Sequence, residues 1–196
     1  LVRIQAPDAP ANLPQRNPLN LALVIDRSGS MSGQPLAEAR RCAEYVLDGL
    51  LPTDRLALVV YDDEVDTLVP AVPIADGREV IRRAIRGIAS GGSTNLHGGW
   101  YQGVQNLLPH VSQQTVSRVI LLSDGCANAG LVDPQAIWAQ CVEFAGAGVG
   151  TSTYGLGSGF NEDLMIGMAR SGHGTSYYGE PAADLMDPFR EEFDLL

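Results

Sequence analysis

Continuous runs of aliphatic residues alternate along this chain with segments whose apolar residues recur at helical spacing. LNLALVI (19–25) and the apolar part of SRVILLSDG (117–125) are such runs, and QPLAEARRCAEYVLDGL (34–50) follows the helical period. Strands that are apolar on both faces are typical of parallel sheets covered by helices on both sides. The alternation therefore predicts an α/β fold with a doubly wound, mostly parallel central sheet.

The segment RLALVVYDDEVDTLVPA (55–71) departs from this alternation. It is predicted to be two strands joined by a tight, solvated acidic turn at Asp62 and Asp63, which adds one antiparallel edge strand. Asp133 and Pro134 are typical of a helix cap and a first helical position. Further helices are predicted over GREVIRRAIRGI, LHGGWYQGVQNLLPH, DPQAIWAQCVEFAGAG, NEDLMIGMARSG and AADLMDPFREEF, and further strands over VGTSTYGLG and GTSYYG.

The domain organisation is predicted from length and composition. A chain of 196 residues favours a single domain with a sizeable core. Residues 1–18 are predicted to form a strand, LVRIQAP, and a Pro-rich linker, and residues 19–196 to form the domain. The strand-like start and the unfinished helix FREEFDLL at the end suggest flanking domains in a longer protein.

Charge and residue usage exclude several classes of function. The net charge of −10 argues against unaided binding to nucleic acid or insertion at an anionic membrane, which depend on basic patches. All 13 basic residues are arginine, so the chain has neither a phosphate-loop lysine nor a Schiff-base lysine. No apolar run reaches the about 18–20 residues that a membrane helix needs.

The three cysteines, Cys42, Cys126 and Cys141, have no paired spacing. An odd, unpaired set is not typical of a disulfide framework or a zinc site, so we expect buried or half-buried thiols. Such thiols favour a reducing, cytoplasmic compartment over the cell surface or secretion, without deciding between them.

Oxygen-bearing side chains follow the predicted parallel strands. Asp26, Ser28 and Ser30 come directly after the first strand, Asp124 ends VILLSDG, and Thr94 lies in the loop SGGSTN before a helix. In open α/β sheets, ligands bind at the carboxyl ends of the strands, so these groups are expected to converge there. Carboxylate and hydroxyl oxygens without His or Cys suit Mg²⁺, which binds few carboxylates and leaves positions for water or a partner.

The spacing DRSGS, then Thr94 in GGSTN, then Asp124 in SDG resembles the metal-ion-dependent adhesion site of von Willebrand factor type A (VWA) domains. That family's pattern is Asp-x-Ser-x-Ser, a distant Thr and a distant Asp. DRLALVVYDDEV, SDGCANAG and GLGSGFNEDLM are also similar to bacterial members and their inter-alpha-trypsin-inhibitor-like relatives. The resemblance covers the chain from about Leu19 onward.

The resemblance implies a Rossmann-like fold and a non-enzymatic, adhesive function. It implies that Ser28, Ser30 and Thr94 bind a metal ion through their hydroxyls, directly or nearly so. Asp26 and Asp124 would bind it directly or through water. The implied ion is Mg²⁺, with Mn²⁺ or Ca²⁺ as alternatives, and the implied partner is another protein that supplies an Asp or Glu side chain to complete the coordination.

Other interpretations remain open at the level of sequence. DRSGS can be a cap and turn before the helix at 34–50, although this leaves Thr94 and Asp124 unexplained. A phosphoryl-transfer enzyme with an aspartyl nucleophile would use Asp-x-Asp, where this chain has Ser28, and would want a lysine. A third possibility is a metal that only stabilises the fold.

Smaller features are given structural roles. His97 is a candidate for a supporting group behind the site, Arg82, Arg83 and Arg86 are expected on a solvated helix face, and GLGSG (155–159) is expected to be a structural turn.

Overall fold

A computed structural model describes residues 16–156 and 161–179 of the chain. Within them a six-stranded sheet has the order β3-β2-β1-β4-β5-β6. The strands are β1 (Leu19–Asp26), β2 (Arg55–Tyr61), β3 (Val65–Pro73), β4 (Val116–Ser123), β5 (Val149–Leu156) and β6 (Ser176–Gly179). Only the β2–β3 pair is antiparallel among these neighbours, so the predicted parallel sheet with one antiparallel edge strand is confirmed.

Five α-helices flank the sheet in the described part of the chain. They are α1 (Gln34–Gly49), α2 (Ile74–Gly87), α3 (Leu96–Leu107), α4 (Pro134–Gly146) and α5 (Glu162–Ser171). Leu23 of β1 belongs to a core shared with α1 and α2, whereas its neighbour Val24 belongs to a second core shared with α3, α4 and α5. Because successive side chains point to opposite faces, a strand between two helical layers is apolar at every position.

Helix α3 packs closely on the sheet because two of its three glycines, Gly99 and Gly103, face the strands. A Cβ atom on Gly99 would overlap the ring of Tyr61, and one on Gly103 would lie 2.5 Å from Val24 Cγ2. The indole Nε1 of Trp100 donates to the Thr151 hydroxyl on β5 at 3.0 Å, which fixes the helix over the middle of the sheet. This close packing brings the start of α3, and the loop before it, to the carboxyl edge of the strands.

Two predicted helix bounds were wrong by a few residues. Helix α2 begins at Ile74, before the predicted start at Gly77, because Ile74 belongs to the same buried face as Ile81 and Ile85, while Pro73 is still extended with a ψ of 139°. The α3 segment ends at Leu107 and continues as a short 3₁₀ turn to His110, since Pro109 cannot donate an α-helical hydrogen bond. The predicted cap of α4 is confirmed, because the Asp133 carboxylate accepts from the Ala136 amide at 3.1 Å.

Several predictions concern parts of the chain that the structure does not describe. The LVRIQAP strand and the last helix, AADLMDPFREEF, lie outside the described residues, as does most of the GLGSG turn. The division into 1–18 and 19–196 stays a prediction. None of the helices in 16–156 and 161–179 is long and apolar enough to span a bilayer.

Candidate metal centre

The sheet topology brings Asp26 and Asp124 to neighbouring strand ends. Asp26 is the last residue of β1, and Asp124 follows β4, which pairs with β1 in parallel up to Ile25 and Leu122. Both carboxylates are buried, with 0% and 5% of their surface exposed. Burial raises the pKa of Asp26, and the negative charge of Asp124 on the neighbouring strand end adds to the rise.

The Asp26 carboxylate has polar neighbours on both oxygens. Oδ1 accepts from the Ser28 amide at 2.8 Å, and Oδ2 accepts from the Ser123 hydroxyl at 2.7 Å and the Tyr61 hydroxyl at 3.3 Å. Burial raises the pKa of Asp26 and Asp124 adds to the rise, although the hydrogen bonds from Ser28 and Ser123 oppose it. An ionised carboxylate in this position carries desolvated negative charge that a cation would stabilise.

Ser28 and Ser30 follow Asp26 on a short 3₁₀ turn, Gly29–Met31. The amide of Met31 donates to the Ser28 carbonyl, and the buried Met31 side chain anchors the turn in the core. The hydroxyls of Ser28 and Ser30 lie 3.1 Å apart, with the first buried and the second exposed. The turn therefore presents two hydroxyl oxygens side by side, next to the Asp26 carboxylate.

The Thr94 loop is attached by its backbone to the loop after β1. The Gly91 amide donates to the Arg27 carbonyl at 2.7 Å, and the Gly29 amide donates to the Gly92 carbonyl at 2.9 Å. These two bonds run in opposite directions between the loops. They fix the loop that carries Thr94 beside the turn that carries the two serines.

Thr94 itself is held from the side of β4. Its amide donates to Asn128 Oδ1 at 2.9 Å, and its carbonyl accepts from the amides of Asn128 and Ala129, each at 3.1 Å. Thr94 is 2% exposed, and the hydrogen bonds recorded for it within residues 16–156 and 161–179 are all made by its backbone. The backbone is thus fully satisfied while the side-chain oxygen is left for another ligand.

Asp124 is positioned by the turn that leaves β4. Its Oδ1 accepts from the Cys126 amide at 3.1 Å, and Gly125 makes the turn with a φ of 75°. The Gly125 amide donates to the Ser123 hydroxyl, which in turn donates to Asp26. Ser123 therefore connects the two carboxylate loops.

Asp62 was not predicted to have a role, and its interpretation as part of a solvated turn was wrong. It is buried, and its Oδ2 accepts from Arg27 Nε at 2.9 Å. Burial raises its pKa, but hydrogen bonds from the Glu64 amide and Arg27 outweigh this and hold the pKa below its usual value. Asp63, by contrast, is exposed as expected.

Other polar residues near the site were also missed, and only Ser123, adjacent to Asp124 in SDG, had a sequence signal. Tyr61 and Asn128 reach the site through contacts between distant segments, which local spacing does not reveal. His97 is bonded through Nε2 to Gln140 of α4 at 3.0 Å and stacks on Tyr101, so its described contacts are with the helical layer.

The cysteine prediction is confirmed and the arginine prediction is partly wrong. Cys42 and Cys141 are buried, Cys126 is half-buried, and none of the three forms a disulfide in the described part of the chain. Arg83 and Arg86 are exposed as predicted, and Arg86 also pairs with Glu44 of α1, whereas Arg82 is half-buried and pairs with Asp48 of α1.

The donor chemistry of this edge suits a hard divalent cation. Within 16–156 and 161–179 no three His, Cys, Asp or Glu residues cluster as a metal-binding group, so the edge offers two carboxylates and hydroxyls rather than a carboxylate cage. Zinc sites are usually built from nitrogen and sulfur, and calcium sites from six to eight oxygens. Two carboxylates with several hydroxyls suit a hard divalent cation that is bound by few carboxylates and keeps open positions.

Comparisons with known proteins agree with this architecture. The sequence profile of the family described as von Willebrand factor type A domain matches residues 20–190. The uncharacterized protein sll0103 of Synechocystis sp. is 30% identical over 183 residues, covering 91% of this chain and 42% of that protein. Human inter-alpha-trypsin inhibitor heavy chain H3 is 30% identical over 196 residues, covering 94% of this chain and 22% of the relative. The chain thus spans less than half the length of either relative.

A solved structure shows the same fold at lower identity. Proximal thread matrix protein 1 of the mussel byssus, in a structure with a zinc-occupied MIDAS motif, superposes with a TM-score of 0.75 at 16% identity. The match covers 92% of this chain and 48% of that chain. At this identity the likeness concerns the fold.

Proposed function

This chain belongs to the von Willebrand factor type A domain family, and we propose that it is a metal-dependent protein-binding module in which a partner carboxylate completes the coordination of a Mg²⁺ ion. The observation that carries the proposal is the Thr94 hydroxyl. It is held at the strand edge by the backbone of Thr94, which makes all the hydrogen bonds recorded for this residue within the described part of the chain.

The proposed ligands are five side chains at the carboxyl edge of the sheet. They are Asp26, Ser28, Ser30, Thr94 and Asp124. When bound, the ion supplies a Lewis-acidic centre that accepts an oxygen donor from outside the chain. The hydroxyls are neutral, and a carboxylate that binds through water offsets the ion's charge less than one that binds directly, so the ion stays under-neutralised and attracts one more anion. Mn²⁺ and Ca²⁺ are alternatives that the same oxygen donors accept.

The role of the chain's own residues is to hold these oxygens in place before a metal binds. Ser123 orients the Asp26 carboxylate, and the Cys126 amide orients that of Asp124. Asn128 holds the backbone of Thr94. Ligands that are already positioned lose little conformational freedom on binding, which raises affinity.

An interaction module accounts for these residues better than an enzyme does. An aspartyl phosphotransferase would need a second carboxylate at position 28, where this chain has Ser28, and the chain contains no lysine. The zinc-occupied MIDAS motif of the mussel protein shows that this fold can hold a divalent ion in a relative, which supports the proposal.

The metal half of the proposal is tested by calorimetry of Mg²⁺ binding. Asp26→Asn combined with Asp124→Asn should abolish binding while circular dichroism stays unchanged, because the amides preserve shape and remove the charge. The matched control combines Asp48→Asn with Glu79→Gln, which removes two exposed carboxylates on α1 and α2. The control should bind Mg²⁺ like wild type, and binding that survives in the site variant would contradict the assignment.

The partner half is tested with immobilised peptides that contain Asp or Glu, beside peptides of the same sequence with Asn or Gln. Retention should depend on Mg²⁺, be lost with EDTA, and occur only for the acidic set. Thr94→Ala should keep the ion and lose retention, and Thr94→Ser should restore it by returning a hydroxyl. Equal retention of wild type and Thr94→Ala would show that Thr94 has no part in partner binding.

A further inference from the structure

We propose that Arg27, the variable residue within Asp-x-Ser-x-Ser, is a positioning residue that holds the Thr94 loop in metal-binding geometry through Asp62. The inference rests on the proposed function, because it concerns the same metal site. It assigns a role to two residues that the ligand set does not include.

The Arg27 side chain lies across the turn between β2 and β3. Its Nε donates to Asp62 Oδ2 at 2.9 Å and its Nη2 reaches Oδ1 at 3.4 Å, while Nη2 also donates to Asp66 Oδ2 at 2.9 Å. The side chain of Arg27 is 21% exposed and that of Asp62 only 9%, so this pair is better shielded from water than a surface ion pair.

Asp62 contacts the Thr94 loop on both sides of Thr94. Its carbonyl accepts from the Asn95 amide at 2.7 Å, and its Oδ2 receives a weaker contact from the Gly92 amide at 3.4 Å. The Arg27 carbonyl accepts from the Gly91 amide. Arg27 and Asp62 therefore bind each other, and each of them also binds the short segment 91–95.

The double glycine in this segment fits the same arrangement. A Cβ atom on Gly91 would overlap the Asp62 carboxylate, and one on Gly92 would overlap that of Asp63. Only glycine allows the loop to approach the β2–β3 turn this closely. The loop position thus depends on Asp62 staying where Arg27 holds it.

Electrostatics and positioning predict opposite effects of removing Arg27. Deleting a positive charge near a cation site, and freeing the Asp62 carboxylate, should strengthen Mg²⁺ binding if charge alone matters. If Arg27 positions the Thr94 loop, its removal should weaken binding, because the loop must then be ordered when the ion binds. The sign of the change separates the two explanations.

We expect Arg27→Ala to weaken Mg²⁺ binding by about tenfold, since the loss of groups that orient metal ligands typically costs 10–100-fold in affinity. Arg27→Lys keeps the charge but loses the fork and should fall between wild type and Arg27→Ala. The control is Arg82→Ala, which breaks an ion pair with Asp48 near the end of α1 and should leave the affinity unchanged.

A second pair of variants tests the loop without changing any charge. Gly91→Ala should weaken Mg²⁺ binding by displacing the loop from Asp62, whereas Gly87→Ala, which has open space around it, should not. Affinity is measured on protein shown to be folded by circular dichroism. A residue that only stabilises the fold would lower the unfolding temperature without changing this constant.

Each outcome decides between the two proposals. If wild-type protein binds Mg²⁺ and Arg27→Ala binds it equally or more tightly, the positioning role is overturned while the proposed function stands. If Arg27→Ala does not fold, unchanged affinity in Gly91→Ala overturns the positioning role in the same way. If wild-type protein binds no divalent ion, the proposed function fails and this inference fails with it.

Discussion

Replacing Asp54 should destabilise the protein more than any other exchange of a carboxylate away from the metal edge. Asp54 precedes β2 at the opposite, amino edge of the sheet and is fully buried. It accepts from Arg16 Nη1 at 2.8 Å and Nη2 at 2.6 Å, from the Leu19 amide at 2.8 Å, and from the Leu51 amide at 2.6 Å. One carboxylate thus joins the chain entering β1 to the connection between α1 and β2.

The magnitude follows from which groups lose their partner. Asp54→Ala leaves two backbone amides and a guanidinium without an acceptor, and breaking a buried pair from one side costs about 3–5 kcal/mol. Arg16→Ala leaves the carboxylate with both amides, and Arg16 is 32% exposed, so we expect about 1–2 kcal/mol. The difference between the two variants measures what the backbone donors contribute.

The assay is urea unfolding of wild type, Asp54→Ala and Arg16→Ala, followed by circular dichroism. We expect unchanged m-values and a free energy of unfolding that is highest for wild type, lower for Arg16→Ala and lowest for Asp54→Ala. Mg²⁺ affinity should be the same in all three, since the change lies at the other edge of the sheet. Equal losses for Asp54→Ala and Arg16→Ala, or a loss below about 1 kcal/mol for Asp54→Ala, would refute the reasoning.

Three further predictions concern pH, packing and metal. Burial raises the pKa of Asp54, but the hydrogen bonds from Arg16 and the amides outweigh burial and hold the pKa below 3.8. The stabilisation by Asp54 is therefore present above that pH and is lost as the pH falls through the folded-state pKa. On acidification, the unfolding temperature should therefore fall more steeply in wild type than in Asp54→Asn. Gly103→Ala places a Cβ against Val24 and should cost about 1–3 kcal/mol by calorimetry, while an unchanged unfolding temperature would contradict the close packing of α3. Mg²⁺ at a hundred times its dissociation constant should raise the free energy of unfolding by about 2.7 kcal/mol. EDTA should reverse this increase, and Asp26→Asn should not show it. An equal increase in Asp26→Asn would mean that the ion binds elsewhere.

The sheet could be predicted because the pattern that indicates each strand lies within the sequence of that strand. Every residue of β1 is buried, and the run Leu21–Ile25 is apolar at each position, a pattern that already indicates helices on both sides. The carboxyl-edge location of Asp26 and Asp124 followed from the parallel topology. The acidic turn at Asp62 and Asp63 already indicated the edge strand β3 that follows it.

Roles that depend on distant contacts could not be predicted in the same way. Asp62 lies in a sequence that is typical of an exposed turn, and its burial results from Arg27 on one side and the Thr94 loop on the other. Arg16 stands in a Pro-rich stretch that was assigned to a linker, yet it is bound to Asp54. In both cases the local composition is typical of an exposed segment, but a hydrogen-bond partner more than 30 residues away in the sequence changes the surroundings of the side chain.

The position of Thr94 shows why a ligand set is easier to predict than its geometry. The sequence indicates a hydroxyl at the right edge of the sheet, but bonds from the loops after β1, β2 and β4 place it there, and most of them join backbone groups that any residue could supply. These bonds have a function that the metal-free fold alone does not require. Burial, and to a smaller extent repulsion from Asp124, raises the pKa of Asp26, so the ionised carboxylate is costly in the folded state, and under the proposed function a bound cation would offset that cost. A flexible edge would relieve that repulsion by moving the carboxylates apart, and the site would then be lost. The loop contacts, together with the close packing of α3, oppose this movement, so the repulsion can be relieved by binding a cation instead.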